Sequence, residues 1–201
     1  MSSSLSWASD YRFRGLSLNG KDFALQAEVA LAWAGWHVSG WASSQRAVAG
    51  ADVETDVTVG RGFAALGLDW DLGGIVYLFP GGRGSVYGEL YAAAGSSRGP
   101  LSWTGRVHYV PPQPNSGDQD NLYLAADLSL TLPGFDTGAL ELGWTGHAGY
   151  EDGAFARGKW DVETGFLAHY RAFLFGVSYV ATVNGGPTGD DAVLLRIGAR
   201  F

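Results

Sequence analysis

The 201-residue chain has no cysteine, which excludes a disulfide framework and a thiolate metal site. It has no excess of positive charge. Its 13 Lys and Arg stand against 20 Asp and Glu, a net charge of -7 that argues against a nucleic-acid partner. It has no apolar run near the ~18–20 residues that a membrane helix requires. The most helix-like stretch, Phe23 to Trp33, is interrupted by Gln26 and Glu28. The opening Met-Ser-Ser-Ser has neither the charged nor the apolar region of a secretion signal, and reads as a start codon added to a mature, processed chain. No linker, repeat or second domain is visible, so residues 1–201 read as a single domain.

What the chain does have is glycine (31) and tryptophan (8), a composition of strands and turns. Alternation of period two recurs almost throughout. Val53, Thr55, Val57 and Val59 alternate with Glu54, Asp56 and Thr58. Leu101, Trp103, Val107 and Tyr109 alternate with Ser102, Thr104, Arg106 and His108. In the last segment Val193, Leu195, Ile197, Ala199 and Phe201 alternate with Arg196 and Arg200 among others. Twelve strands follow, at roughly 5–14, 23–33, 36–44, 52–60, 67–79, 85–95, 101–110, 122–131, 139–147, 160–170, 172–183 and 191–201. The connections 15–22, 44–51, 80–84, 111–120, 148–159 and 184–190 are mostly longer and polar. Those at 34–35 and 171–172 are very tight, and those near 61–66, 96–100 and 132–138 are intermediate. Long loops at one end and short turns at the other fit an all-β, single closed antiparallel transmembrane barrel with both termini on the short-turn, periplasmic side.

Alternation alone does not say which face points outward, because a soluble barrel would turn its apolar face inward. The aromatic positions decide for the membrane. On the apolar parity, Trp7, Trp33, Trp36, Trp70, Trp103, Tyr170, Phe173 and Phe201 fall near the short-turn end, and Phe13, Phe23, Tyr109 and Trp160 near the other. Two bands of rings match the two interfaces of a bilayer. The opposite parity carries Asp10, Arg12, Arg14, Glu28, Glu54, Asp56, Asp69, Asp71, Glu89, Arg106, Asp127, Glu141, Asp161, Glu163, Arg196 and Arg200, which would line a watered lumen. Acids outnumber arginines on this face about two to one, which favours cations. Twelve strands ~4.8 Å apart and tilted ~40° give a backbone radius of about 12 Å, and side chains leave a bore of only several Å. Closure of the last strand on the first would set Asp10 beside Arg196.

The segment Ser9-Asp10-Tyr11-Arg12-Phe13-Arg14-Gly15-Leu16-Ser17, with Ala24-Leu25-Gln26, Gly40-Trp41-Ala42-Ser43, Glu54-x-Asp56 and Tyr87-x-Glu89-x-Tyr91, resembles the TorF-type porin family of bacterial outer-membrane proteins. The resemblance is best over the first hundred residues. It implies a barrel and a porin role, and brings no defined substrate and no catalytic residue. The alternating strand that ends on Phe201 resembles the C-terminal signal read by the barrel-assembly machinery.

The residues offer little chemistry. His37, His108, His147 and His169 sit on separate strands without metal-ligand spacing, and no Gly-x-Ser-x-Gly elbow is present. Gly81-Gly82-Arg83-Gly84 and Asn184-Gly185-Gly186-Pro187 read as turns, since neither leads a strand into a helix. The expectation is therefore a non-enzymatic, narrow passive channel for small polar or cationic solutes, with no cofactor and no metal. Its partners would be outer-membrane lipid (or detergent in its place), the assembly machinery and those solutes. A plugged structural barrel or adhesin without conductance is the alternative, and a membrane-embedded lipid hydrolase a more distant one.

Overall fold

The computed structural model describes residues 1–46, 48, 50–82, 86–134 and 139–201. In chain order the strands are β1 (Ser2–Ala8), β2 (Arg12–Phe13), β3 (Leu16–Ser17), β4 (Ala24–Trp33), β5 (Trp36–Ser44), β6 (Val53–Ala65) and β7 (Leu68–Leu78), then β8 (Tyr87–Arg98), β9 (Leu101–Val110), β10 (Asn121–Thr131), β11 (Leu140–Gly153), β12 (Lys159–Tyr170), β13 (Phe173–Val183) and β14 (Ala192–Arg200). All but β2 and β3 form one closed antiparallel barrel of twelve strands, sealed where β14 pairs with β1. The short β2–β3 hairpin stands apart from the wall. No helix among the described residues is long and apolar enough to cross a membrane.

The short turns are set by local backbone chemistry. Ala34-Gly35 and Leu66-Gly67 both place two consecutive residues at positive φ, 48° and 82° in the first pair and 57° and 76° in the second. This is the two-residue turn whose twist matches that of the flanking strands. The remaining short-end connections are 99–100, 132–139 and 171–172, and both termini lie at this end. The longer connections, 9–23, 45–52, 79–86, 111–120, 154–158 and 184–191, gather at the other.

The alternation places the strands closely, and the differences have identifiable causes. β6 and β8 run on to Ala65 and Arg98, so the intermediate connections at 61–66 and 96–100 shrink to two-residue turns. Gly60 and Gly62 resemble a turn in sequence but lie inside the wall. A Cβ on Gly60 would collide with the Tyr91 hydroxyl and the His37 ring, so glycine there gives room to side chains crossing the lumen. β11 likewise continues to Gly153, which shortens the expected 148–159 loop to 154–158. Positions 83 to 85 (two residues of the glycine-rich turn and the expected start of a strand), 47 and 49 of the 44–51 loop, and 135–138 of the 132–138 connection lie outside the described residues.

The largest correction concerns the first strand. It spans Ser2–Ala8 rather than 5–14; Ser9 N–H still donates to Leu195 O of β14, and residues 10–22 leave the wall and fold into the mouth of the barrel. Tyr11 N–H donates to the Asn19 side chain, Ser17 Oγ donates to Asp10, and Leu18 N–H donates to Tyr11 O, so the strap is tied to itself. The Asp10–Arg196 pair therefore does not form. Ala8 lies opposite Arg196, while Asp10 is held by Arg12.

The outer wall is apolar along its whole height. Val29 is 50 % exposed and Trp33 55 %, and Leu31, Val57, Val107, Leu124, Val162, Phe175 and Leu195 are similarly bare. The ordinary core is correspondingly small. Ala51, Tyr77 and Phe79, with Phe13, Val48, Ile75 and Tyr87 against them, form a plug-like cluster in the loop-side mouth.

Candidate functional site

The lumen is the candidate site, and the strap divides it. In the loop-side half, Arg14 reaches across the bore to Glu89 (2.5 Å) and Glu151 (2.9 Å). Its guanidinium lies 4.3 Å from the centre of the Tyr123 ring and 4.8 Å from that of Phe13. Lys159, fully buried at 0 % exposure, pairs with Glu151 at 2.8 Å and donates to the backbone carbonyl of Arg14. Glu89 also accepts from the Tyr77 hydroxyl (3.1 Å) and faces His108 Nδ1 at 2.7 Å. With the Asn121 amide, which donates to Glu151 at 2.9 Å, five groups thus saturate two carboxylates, as burial of charge requires. At the rim Arg12 pairs with Asp10 (2.5 Å) and with Asp190 of the 184–191 loop (3.1 Å), and Lys21 reaches Asp190 at 2.6 Å. The hydrogen bond from Lys21, with Arg12 adding its charge, holds the Asp190 carboxyl below its ordinary value.

Below the strap a cavity of about 600 Å³ opens, roofed by Phe13, Arg14 and Tyr123 and walled by Arg106, Asp127, His147, Glu163 and Arg196. Here His147 sits between two carboxylates. Its Nδ1 is 2.8 Å from Asp127 and its Nε2 is 3.1 Å from Asp161 and 2.9 Å from the Tyr123 hydroxyl, which itself donates to Asp161. Arg106 pairs with Asp127, and Arg196 with Glu163 at 3.1 Å. Among the described residues no group of three or more His, Cys, Asp or Glu side chains is arranged to hold a metal ion.

Toward the short turns the lumen is open. Cross-strand partners share a face, so the pairing fixes which side chains point inward. Arg200, Ser4, Glu28 and Trp41 form one row of partners, and Trp41 packs 5.3 Å from Tyr11 inside the barrel. Glu141 is opposite His169, and Asp71 lies 2.8 Å from His37. Glu28, Asp69, Glu141 and Arg200 are exposed to this space, and none is in an ion pair among the described residues.

The sequence-derived charges therefore fall into three settings. Asp10, Arg12 and Arg14 belong to the strap and not to a wall strand. Glu54 and Glu89 are enclosed beneath it, while Asp56, Asp161, Asp127, Arg106, Glu163 and Arg196 line the cavity. Glu28, Asp69, Asp71, Glu141 and Arg200 face the open half. Sequence reasoning passed over Glu151 and Lys159, which lay in an expected loop, and over Tyr11 and Tyr77. For Glu151 the signal was alternation continuing past residue 147 on the parity of His147, and for Lys159 it was alternation running back from Glu163 and Asp161.

On the outer wall Trp33, Trp36, Trp103, Tyr170 and Phe173 are exposed within a residue or two of short turns, with Trp70 half-buried among them and Phe201 bare at the chain end. Tyr109 and Trp160 are exposed at the long-loop end. Trp7 is a correction. Because β1 is displaced toward the N-terminus, Trp7 lies opposite Leu25 and Ile197 and stacks on Phe23 at 4.5 Å, at the long-loop end. Phe13 is another, since it packs on Tyr77 inside the mouth at 5.8 Å.

Comparison with known proteins agrees with this architecture. The profile of a family described as "Bacterial protein of unknown function (Gcw_chp)" matches residues 1–190. No curated protein sequence matches the chain. Among solved structures the chain is similar to the KdgM porin, with a TM-score of 0.65 at 10 % identity, covering 100 % of this chain and 98 % of that one. It is similar to the NanC porin at 0.64 and 13 %, covering 99 % and 98 %. It is also similar to LpxR from Salmonella typhimurium at 0.57 and 10 %, covering 100 % and 99 %. At these identities the likeness is one of fold.

Proposed function

We propose that this chain, which belongs to the bacterial Gcw_chp family, is a narrow passive channel of the outer membrane that favours cations and small neutral polar solutes over anions. The observation that carries the reading is the inside-out distribution of residues: a bare apolar wall around a charged, partly open lumen. Such a wall is unstable in water and suits lipid, where a closed barrel leaves no backbone group unpaired. The two aromatic bands would then mark the interfaces, the short turns and both termini would be periplasmic, and the long loops would face outward. The strand ending on Phe201 would be the segment read by the assembly machinery. The fold shared with two barrels described as porins supports the channel role. The Ser9–Ser17 segment supports a finer placement among TorF-type porins.

The cation preference rests on the open half, where Glu28, Asp69, Asp71 and Glu141 outweigh Arg200. Glu54 is buried and Asp56 lines the cavity under the strap rather than the open half, so neutralising them is not the test of selectivity; the exposed acids are. The strap also favours a second reading, a barrel plugged at rest, because its arginine is bound on both sides of the bore. Recording from the refolded chain in planar bilayers separates the two. Small, ohmic, cation-preferring steps support the channel. No conductance from the wild type, with conductance appearing in an Arg14→Ala variant, supports the barrel plugged at rest.

A further inference from the structure

We propose that Glu54 and Asp56 hold a calcium ion beneath the strap, at the level of Tyr11. The two acids alternate along β6 and so project from one face, with Cβ atoms roughly 7 Å apart. Glu54 is 1 % exposed. Its Oε2 and the Oδ1 of Asp56 are both buried with no hydrogen-bond partner, and neither residue is in an ion pair among the described residues. The other carboxylates of this half are answered. Asp10 has Arg12, Glu89 has Arg14, Glu151 has Arg14 and Lys159, and Asp161 has Lys159 and His147. The Tyr11 phenol hydrogen-bonds Glu54, but no cationic side chain among the described residues faces either carboxylate, and two adjacent carboxylates this far from bulk water do not persist as bare charges; something neutralises them.

The surroundings say what kind of group does so. The nearby donors are all oxygens: the two carboxylates and the Tyr11 phenol that faces Glu54. Oxygen donors without nitrogen or sulfur select a hard cation over zinc or copper. Two negative charges match a divalent ion. Magnesium demands a regular octahedron and keeps its waters, whereas calcium accepts irregular geometry with mixed carboxylate, neutral-oxygen and water ligands. With only two carboxylates the affinity falls in the weak range, on the order of 0.1–1 mM, that suits an ion outside the cell. By drawing Tyr11 toward the wall, the ion would fasten the strap and keep the loop-side mouth narrow.

The test uses the refolded full chain in detergent micelles, with thermal unfolding and terbium luminescence as readouts. Both are independent of conductance, so failure here is distinguishable from failure of the channel reading. Millimolar CaCl2 should raise the wild-type unfolding midpoint by several degrees, and EGTA should reverse it. Equimolar MgCl2 should do much less. The Glu54→Gln/Asp56→Asn variant should lose the response and be no less stable than the wild type in EGTA, while Glu141→Gln should keep it. Terbium should luminesce on excitation of Trp41, which lies opposite Asp56, and calcium should displace it. If the double variant does not fold, Glu54→Gln alone must weaken terbium binding at least tenfold. The proposal is overturned if the double variant responds to calcium as the wild type does, or if magnesium is equally effective. It is also overturned if the wild type ignores calcium and is stabilised instead by lowering the pH from 7 to 5, which would mean that a proton neutralises the pair.

Discussion

In the loop-side half of the lumen Arg14 is clasped by two carboxylates and capped by a buried lysine. Toward the short turns Asp69, Glu141 and Glu28 face open space with no basic partner among the described residues. The same residue types are doing different things. Where a segment of chain fills the bore, burial forces each charge to find an opposite one, and the outcome is a rigid closure. Where the bore is open, water solvates the acids, and their uncompensated charge is free to act on ions passing by.

Substitutions measure how deep that contrast runs. Arg14→Ala should have the largest effect. It should destabilise the barrel by about 3 kcal/mol, the low end for breaking a buried pair, because Glu89 keeps His108 and Glu151 keeps Lys159. Urea unfolding of the refolded protein reads this, and the variant should also conduct more. A loss below about 1 kcal/mol would mean that the strap is loosely held and the two halves are alike. The outer wall supplies a scale. Val29→Arg, at mid-height of β4, should lose roughly 2–4 kcal/mol, whereas Trp36→Arg beside the 34–35 turn should lose about 0–1. Equal losses would show that the aromatic band does not mark an interface.

In the open half, Asp69→Asn with Glu141→Gln should change stability by no more than about 0.5 kcal/mol. A loss comparable to that of Arg14→Ala would mean these acids are structural. The smallest effect belongs to the rim. Because Lys21 and Arg12 hold the Asp190 carboxyl below its ordinary value of 3.8, the latch contributes fully above that pH and is lost as the pH falls through the lower, folded value. Asp190→Asn imitates the acid state at neutral pH. It should speed trypsin cleavage after Lys21 a few-fold, and an unchanged rate would show that the latch does not restrain the strap.

Much of this architecture is legible in the sequence, for a physical reason. A membrane barrel repeats its inward and outward environments at every second residue, so Val53 to Val59 or Val193 to Phe201 display the wall directly. The closed barrel and its loop asymmetry follow from that pattern. What alternation cannot display is a segment that alternates without joining the wall. Asp10 to Arg14 looks like a strand, but it packs alternate residues against the two sides of a narrow mouth. The polar Ser2–Ser4 stretch, which carries no such signal, forms the real start of β1. Glycine hides boundaries as well. At Gly60 and Gly149 it clears space for Tyr91 and Tyr123 inside the barrel, although in sequence each resembles the end of a strand. The buried partners Glu151 and Lys159 were obscured in the same way, since both lie beyond such a glycine.

The central claim is that an acidic open lumen makes this barrel a cation-preferring pore. The reversal potential across a tenfold KCl gradient, recorded for the wild type and for a Glu28→Gln/Asp69→Asn/Glu141→Gln variant, tests it most directly. The account predicts a wild-type potential on the cation side that moves toward zero in the variant and shrinks as salt is raised, since screening shortens from ~10 Å at 0.1 M to ~3 Å at 1 M. A wild-type potential on the anion side, or one that the three substitutions leave unchanged, would contradict it.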